Sequence, residues 1–360
     1  MGGIPAVREP RFFIPEEGAL RCTLCPHHCR LEGGKSGICR VRRARSPLPE
    51  EGARAPPGAP APQLPRYGYV TALANDPVEK KPLYHWRPGT MILSAGFTGC
   101  NLRCPFCQNW RISQTADAPG RTLSPEALIA AAGEAGSEAL AYTYSEPLVH
   151  AEFLLDAMTL ARKEGIANVL VTNGCVNADA ARAILSLADA ANVDLKSFSE
   201  TNYAKVLGGD LSAVLDFIRT AVGLKVHTEI TTLVVPGLND GEKELRDMAG
   251  FIEGLGDTVP WHLSACHPDW KWDAPPTGAE QLFAAAERAH KTLPYVYSGN
   301  IAGEQNDTRC LHCGSVLISR RGYLVDTGGL QWRGTKAADG GPQKPSGFCA
   351  RCGKAAPVRW

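Results

Sequence analysis

The stretch GFTGCNLRCPFCQNW, residues 96–110, decides the fold and the chemistry of this chain. Its cysteines, Cys100, Cys104 and Cys107, are spaced C-x3-C-x2-C, so three thiolates stand on one short loop. Such a trio can hold three corners of a four-iron cluster, whereas four cysteines fill a cluster that transfers electrons. An iron without a protein ligand predicts chemistry on a bound small molecule. A zinc ion with three protein ligands and a water is the alternative.

Around this loop, apolar runs alternate with segments of helical period. The expected strands are residues 91–97, 139–144, 168–174, 191–196, 225–235, 261–267 and 295–300. The expected helices are residues 124–136, 147–163, 177–189, 210–223, 241–255 and 278–292. Units of about 30 residues that alternate in this way predict a parallel sheet with right-handed crossovers.

This alternation predicts an α/β fold. Six or so units fall short of the eight that close a full barrel, so we expect a partial (βα)6 TIM-like barrel. A flat, doubly wound sheet is the alternative. The whole chain divides into four parts. They are an N-terminal cysteine-rich metal knuckle (1–43), a flexible Pro/Ala-rich insertion (44–66), the barrel (67–303) and a zinc-ribbon-like C-terminal segment (304–360). A second loop-like stretch covers residues 333–347.

Composition excludes several functional classes. The formal net charge is +1, which gives no electrostatic reason to expect a nucleic acid or a membrane as partner. The chain has no run of about 18 apolar residues and no apolar segment typical of a secretory signal near Met1, so we expect a cytoplasmic protein. Thiols stay reduced there, and the 13 cysteines are therefore read as metal ligands before disulfides.

Two further cysteine sets flank the central trio. The C-terminal set forms two C-x2-C pairs, each followed by glycine, and predicts a zinc ribbon formed by Cys310, Cys313, Cys349 and Cys352. The N-terminal set predicts either zinc or an auxiliary iron-sulfur cluster held by Cys22, Cys25, Cys29 and Cys39. Cys175 and Cys266 remain, each either a small buried residue or a thiol that relays hydrogen beside the site.

Polar residues stand at the expected carboxyl ends of successive strands, where sites form in parallel α/β folds. They are Glu146, Asn173, Asp194, Lys196 and His267. Carboxylates can meet an ammonium, lysine a carboxylate, and amides a ribose or a base edge, so the set suits a zwitterionic ligand. Each residue alone could equally satisfy turn backbone. His262 is interpreted as a core or strand residue, and no acid–base pair stands out as catalytic.

Eight motifs together resemble the radical S-adenosylmethionine (radical SAM) superfamily. They are RCTLCPHHCRLEGGKSGICRVRR, DPVEKKPLYHWRPGT, GCNLRCPFCQNWRISQ, AYTYSEP, VDLKSFS, TTLVVPGLND, HLSACHPD and RCLHCGSVLISRRGY. Within the superfamily the chain is similar to pyruvate formate-lyase activating enzymes, and more nearly to the radical SAM enzymes of the AmmeMemoRadiSam system. YSEP resembles the superfamily's Gly-Gly-Glu-Pro segment, with Tyr144 and Ser145 in place of the glycines.

The resemblance implies a [4Fe-4S] cluster at the central trio, with S-adenosylmethionine (SAM) on its open iron. One electron from an external flavodoxin- or ferredoxin-type donor would cleave SAM to a 5′-deoxyadenosyl radical, which abstracts hydrogen from the substrate. The resemblance places Glu146 at the SAM ammonium, Asn173 at its ribose or carboxylate, Asp194 and Lys196 at its ribose and carboxylate, and His267 nearby.

The hydrogen donor is a partner protein's glycine, another peptide or a small molecule. A non-catalytic iron-sulfur and zinc scaffold, for electron transfer or partner binding, is the alternative function. An open iron beside polar strand ends favours the enzyme.

Overall fold

The N-terminal cysteine segment folds as a small antiparallel sheet. The structure, a computed structural model, describes residues 10–45, 60–115, 117–256, 258–302, 306–334 and 345–360. The N-terminal strands pair in sequence order and are β1 (Phe13–Glu16), β2 (Ala19–Cys22) and β3 (Arg30–Glu32). A separate two-stranded antiparallel sheet pairs β4 (Arg43–Arg45) with β5 (Ala61–Gln63). Both ends of the Pro/Ala-rich stretch are thus paired, while residues 46–59 lie outside the described residues.

The central sheet has nine strands within the described residues. They are β6 (Tyr69–Pro77), β7 (Met91–Phe97), β8 (Arg121–Thr122), β9 (Ala139–Thr143), β10 (Ala167–Thr172), β11 (Ala190–Asp194), β12 (His227–Val234), β13 (Trp261–Ala265) and β14 (Val296–Gly299). Their order is β14-β13-β12-β11-β10-β9-β7-β6-β8. The strands from β7 and β9 to β14 are parallel, and each lies where an apolar run predicted one. β6, which pairs antiparallel with β7, was not predicted.

Helices connect the parallel strands. They are α1 (Trp110–Ser113), α2 (Pro125–Glu134), α3 (Ala151–Lys163), α4 (Ala178–Leu185), α5 (Leu211–Gly223), α6 (Glu242–Glu253) and α7 (Ala279–Ala289). The side chain of Ser124 caps α2 by accepting from the Ala127 N–H. The expected helix at 147–163 begins as a 3-10 turn, Pro147–His150, before α3.

The strand order of the central sheet bears on the two predicted architectures. From β7 to β14 the parallel strands follow one another in chain order, and α2 to α7 each link two neighbouring strands. A doubly wound sheet requires the order to reverse at a switch point, and this sheet has no such reversal. The observed winding is the one that a partial barrel uses, and it brings the carboxyl ends of all the parallel strands to one edge.

The C-terminal segment, called the ribbon below, comprises two small antiparallel sheets. Its strands are β15 (Thr308–Arg309), β16 (Val316–Arg321), β17 (Leu324–Asp326), β18 (Leu330–Gly334), β19 (Pro345–Cys349) and β20 (Ala355–Arg359). They pair as β15-β16-β17 and β18-β19-β20. Most of the stretch expected to loop out, residues 335–344, lies outside the described residues, between β18 and β19.

Candidate active site

A cavity of about 860 Å³ opens at the carboxyl ends of the parallel strands. All the residues predicted for the central metal and its cofactor line it: Cys100, Cys104, Cys107, Glu146, Asn173, Asp194, Lys196 and His267. The winding of the sheet explains this convergence, because residues that follow successive parallel strands meet at the same edge. Sequence and structure therefore point to one site for these eight side chains.

The cysteine loop is held rigidly behind its sulfurs. Gly99 precedes it with φ = +79°, and a Cβ there would lie 2.4 Å from the Cys39 carbonyl oxygen, so the turn requires glycine. The Asn101 side chain donates to the Cys175 carbonyl at 2.6 Å, and the Asn101 carbonyl accepts from His27 Nε2 at 2.8 Å. The N-terminal cysteine segment thus packs directly against the loop and supports it.

Hydrogen-bonding groups surround the loop sulfurs. The Leu102 N–H lies 3.3 Å and Asn173 Nδ2 3.6 Å from Cys100 Sγ, both as donors. Ser113 Oγ lies 3.2 Å from Cys107 Sγ. Donors of this kind orient metal-bound thiolates and adjust the reduction potential of an iron-sulfur cluster.

Two of the three thiols need a metal to ionise. Burial raises the pKa of Cys104 to about 12 and that of Cys100 well above its usual range. Only metal binding would make Cys100 and Cys104 thiolates at neutral pH. Among the described residues, the three sulfurs do not all lie within 4.8 Å of one another, as the ligands of one ion would. Sulfurs that bind different irons of one cluster stand farther apart than the ligands of one ion, so this separation is compatible with a four-iron cluster.

Glu146 is buried and joins two strand ends. Its carboxylate accepts from the Thr172 hydroxyl at 2.6 Å, the Asn173 N–H at 2.8 Å and the Leu148 N–H at 3.0 Å. Burial nevertheless raises the pKa of Glu146 to about 7. Since the carboxylate already has three internal donors, its first role in this structure is to tie the segment after β9 to the end of β10.

Asn173 supports the cysteine loop. Besides Cys100, its side-chain amide reaches Asn101 Oδ1 at 3.0 Å, and its Oδ1 accepts from the Cys175 N–H at 2.8 Å. Cys175 and Cys266 are fully buried and are not among the residues that line the cavity. This placement favours the small-buried-residue interpretation of both thiols.

The pair at the end of β11 is the charged centre of the cavity. Lys196 Nζ lies 2.8 Å from Asp194 Oδ2, as expected for residues two apart on one strand face. Burial lowers the pKa of Lys196, but Asp194 and Cys104 outweigh it and raise the pKa above its usual value. The ammonium therefore stays charged beside the cysteine loop, where it can meet an anionic group.

Two histidines, one within β13 and one just after it, differ in their surroundings. His267 is exposed, and its Nε2 donates to the Asn300 carbonyl at 3.0 Å. His262, interpreted from the sequence as a core or strand residue, is a buried strand residue that also lines the cavity. Its Nε2 donates to Glu229 at 2.7 Å. The period-two pattern of WHLSACH places His262 and Ser264 on one face, and this was the available signal.

Tyr144 explains how the altered YSEP segment keeps its shape. Its φ is +71°, a left-handed conformation that favours glycine, the residue of the related pattern. The Tyr144 hydroxyl bonds Asp76, and Lys81 Nζ lies 4.4 Å from the centre of its ring. These contacts hold a bulky residue in a backbone conformation that costs about 1–2 kcal/mol.

The four ribbon cysteines are grouped closely enough to hold one metal ion. Their sulfurs all lie within 4.8 Å of one another, with Cys310–Cys352 and Cys313–Cys349 separations of 3.7 Å. A tetrahedral zinc with bonds of about 2.3 Å requires sulfurs about 3.8 Å apart, so the set fits zinc. The Ser315 hydroxyl lowers the pKa of Cys349 to about 6, which favours a thiolate ligand.

The N-terminal cysteines are less closely grouped. Cys22, Cys25 and Cys39 are buried and Cys29 is partly exposed. In the part of the chain that the structure describes, their sulfurs do not lie within 4.8 Å of one another as the ribbon sulfurs do. Arg42 Nε donates to Cys22 Sγ at 3.2 Å. The set keeps both predicted occupants, zinc and an auxiliary cluster.

Within the described residues, every helix is too short or too polar to cross a bilayer.

A family profile and several known proteins are similar to this chain. Residues 96–249 match the profile of the family described as "Radical SAM superfamily". A protein of Methanocaldococcus jannaschii named "Uncharacterized protein MJ0808" is 37% identical over 321 residues, covering 87% of this chain and 92% of the relative.

Activating enzymes are also among the relatives. Pyruvate formate-lyase-activating enzyme of Clostridium pasteurianum is 25% identical, covering 48% of this chain and 73% of the relative. Pyruvate formate-lyase 1-activating enzyme of Escherichia coli strain K12 is 26% identical, covering 52% and 79%. A solved domain of pyruvate-formate lyase-activating enzyme from Bacteroides vulgatus superposes with a TM-score of 0.38 at 21% identity, covering 44% of this chain and 97% of that one. The chain belongs to the radical SAM superfamily.

Proposed function

We propose that this chain is an enzyme that binds a [4Fe-4S] cluster at Cys100, Cys104 and Cys107 and cleaves SAM reductively in the adjoining cavity. The observation that carries the proposal is that a three-cysteine loop and a charged aspartate–lysine pair line the same cavity. When bound, the cluster and SAM would supply a 5′-deoxyadenosyl radical that abstracts hydrogen from the substrate.

The residues around the cavity bind and orient the cofactor. Lys196 carries the positive charge that a SAM carboxylate needs, and Asp194 holds Lys196 at 2.8 Å while offering its free oxygen to a ribose hydroxyl. Glu146 would meet the ammonium through its remaining acceptor capacity. Asn173 would connect the cysteine loop to the SAM ribose or carboxylate, and His267 would lie near the bound SAM.

The subgroup and the substrate follow from similarity. We propose that the chain is a radical SAM enzyme of the AmmeMemoRadiSam type, with glycyl-radical-activase-like chemistry on a protein or hydrogen abstraction from a small molecule. Relatives named as activating enzymes support the first substrate class. An external flavodoxin- or ferredoxin-type protein would supply the electron. No partner of nucleic acid or membrane type is proposed.

The flanking cysteine sets have supporting roles in this proposal. Zinc would bind in the C-terminal segment 304–360 at its four cysteines, whose spacing supports that ion. Zinc or an auxiliary iron-sulfur cluster would bind in the N-terminal segment 1–43.

The test is SAM cleavage by the full chain. Protein reconstituted anaerobically with iron and sulfide is reduced with dithionite in the presence of SAM, and 5′-deoxyadenosine is quantified by mass spectrometry. We expect 5′-deoxyadenosine from the wild type and from Cys266→Ala, and none from Cys104→Ala. Wild-type protein that carries the cluster but releases no 5′-deoxyadenosine would refute the proposal in favour of the scaffold.

A further inference from the structure

We propose that the C-terminal ribbon is part of the active site. In this view the ribbon forms one wall of the cavity and holds the cavity floor, so its metal determines the shape of the pocket that the substrate enters. That a substrate enters this pocket rests on the proposed function, whereas the coupling between the ribbon and the cavity does not.

The wall is formed by the turn between β16 and β17. Gly322 and Tyr323 in this turn line the same cavity as Cys104 and Lys196. Tyr323 is 59% exposed, so its ring lies at the open side of the cavity rather than in the ribbon core. Tyr323 therefore stands where a second molecule could enter the cavity that the cysteine loop also lines.

Arg320 fastens this turn to the barrel. The side chain is 1% exposed, and its guanidinium donates to the Tyr84 carbonyl at 2.5 Å and to the Thr308 hydroxyl at 2.8 Å. It also lies 4.3 Å from the centre of the Tyr84 ring. Tyr84 itself lines the cavity. A buried, charge-assisted contact therefore joins the ribbon to a cavity residue across more than 200 positions of sequence.

The other half of the ribbon holds the same segment. The Arg359 N–H donates to the His85 carbonyl, and the Arg87 N–H donates to the Arg359 carbonyl, both at 2.8 Å. Trp86 and Arg359 thus form a parallel bridge. Residues 84–87 are consequently bonded to both ribbon sheets, to the first through Arg320 and to the second through β20.

From residues 84–87 the coupling reaches the cavity floor. The N–H groups of Tyr84 and His85 donate to Glu229 at 3.0 and 2.7 Å. Glu229 is fully buried, and His262, which lines the cavity, donates to the same carboxylate at 2.7 Å. A shift of residues 84–87 would remove two of the donors that position Glu229 and with it His262. His262 is therefore a positioning residue of the pocket whose geometry depends on the ribbon.

The metal makes this arrangement dependent on an ion. The apolar core of the ribbon is small and consists of Leu317, Ile318, Leu330 and Val358 packed with Cys310 and Cys349. A core of this size seldom folds without a metal or a disulfide. Loss of the ion should loosen β16 and β20, and with them residues 84–87.

The first experiment measures hydrogen exchange in the full chain, with zinc content determined in parallel. In Cys349→Ser, which loses a ribbon ligand, we expect the Arg87 amide and its neighbours in residues 78–89 to exchange at least about tenfold faster than in wild type. His312→Ala is the matched control, because it changes an exposed residue between two ligands and keeps all four thiols. Unchanged exchange in a zinc-free Cys349→Ser protein would overturn the proposal.

The second experiment tests the wall without disturbing the metal. Tyr323→Ala should open the cavity, whereas Leu324→Ala changes a residue that is 80% exposed and is not among those lining the cavity. The cluster is identified by a spectroscopic signal that shifts when SAM is added. The measurement is the rate at which this signal disappears when a limited amount of oxygen is admitted. We expect Tyr323→Ala to lose the signal at least about threefold faster than the wild type, and Leu324→Ala to lose it at the wild-type rate.

Equal rates of cluster loss in the two variants and the wild type would contradict the claim that Tyr323 forms a wall of the cavity. If no SAM-responsive cluster assembles in the wild type, the proposed function fails, and hydrogen exchange still decides on the ribbon.

Discussion

Lys196 Nζ lies 2.8 Å from Asp194 Oδ2 at the carboxyl end of β11, and both side chains line the cavity that contains the cysteine loop. The pair is the only aspartate–lysine contact among the described residues that line this cavity with the three central cysteines. It gives the cavity a fixed positive charge beside a fixed acceptor.

The first prediction concerns this charge. Lys196→Met keeps the length of the side chain but removes the ammonium that would meet the SAM carboxylate. A hydrogen bond to a charged group contributes about 1.5–3 kcal/mol, so SAM affinity should fall at least about tenfold. Calorimetry on the cluster-loaded protein measures it. Lys205→Met, at an exposed position, should bind SAM like the wild type, and an unchanged affinity in Lys196→Met would remove the lysine from the SAM site.

The second prediction concerns the metal of the central trio. Cys104→Ala should lower the iron content by about four per chain and remove the corresponding visible absorbance, because a cluster needs its protein thiolates. Iron analysis and spectroscopy of anaerobically reconstituted protein measure both. Cys266→Ala, at a buried thiol outside the cavity lining, is the control and should keep full iron. Zinc in place of iron at an intact trio would contradict the cluster.

The third prediction concerns the buried ion pair that ties the N-terminal segment to α3. Arg42 bonds Glu152 in a two-pronged contact at 2.6 and 2.9 Å, and both side chains are almost inaccessible. Glu152→Ala leaves a buried guanidinium without its partner, which should cost about 3–5 kcal/mol of unfolding free energy. Asp216→Ala breaks an exposed pair with Arg219 and should cost less than about 1 kcal/mol. Anaerobic urea unfolding compares them; similar costs would be inconsistent with this view.

The fourth prediction concerns acid stability. Burial pushes the pKa of Asp76 upward, but bonds from Lys80, Lys81 and Tyr144 outweigh it and hold the pKa well below the usual range. The folded carboxylate thus stays charged where the unfolded one takes up a proton. Its stabilising effect is complete above about pH 5 and is lost as the pH falls below about 4.

In Asp76→Asn, the unfolding free energy should therefore fall less steeply than in the wild type as the pH drops below about 4. At neutral pH it should also cost about 3–5 kcal/mol, because Lys81, which is buried, loses its counter-charge. Unfolding by urea at a series of pH values measures both effects. Asp216→Asn serves as the exposed control. If the variant and the wild type lose stability in parallel on acidification, Asp76 does not carry the effect.

Much of the fold could be predicted because its signals are local. The parallel strands are short apolar runs and the helices have an apolar period, so each segment specifies its own structure before it packs. β6 was not predicted because its sequence, YVTALANDP, mixes apolar and polar residues without a clear strand pattern. It becomes a strand only by pairing with β7. The small sheets of the two cysteine segments were missed for a similar reason, since their strands are only two to six residues long.

The site was predictable in its members but not in its bonds. The eight predicted residues converge in one cavity because winding in chain order brings successive strand ends together. Glu146, expected at a ligand, also accepts from three donors, one in its own turn and two at the end of β10. The left-handed backbone of Tyr144 is sustained by Asp76 on β6, a partner 68 positions away.

The spacing of Cys100, Cys104 and Cys107, the strand–helix alternation and the identity of the strand-end residues are properties of the sequence by itself, and they determined the superfamily. Only the tertiary structure decided that His262 belongs to the cavity, that Arg42 pairs with Glu152, and that the ribbon reaches Tyr84 through Arg320. The physical reason is range. Periodicity and ligand spacing act over a few residues of chain, whereas a buried charge finds its partner only after distant segments pack against each other.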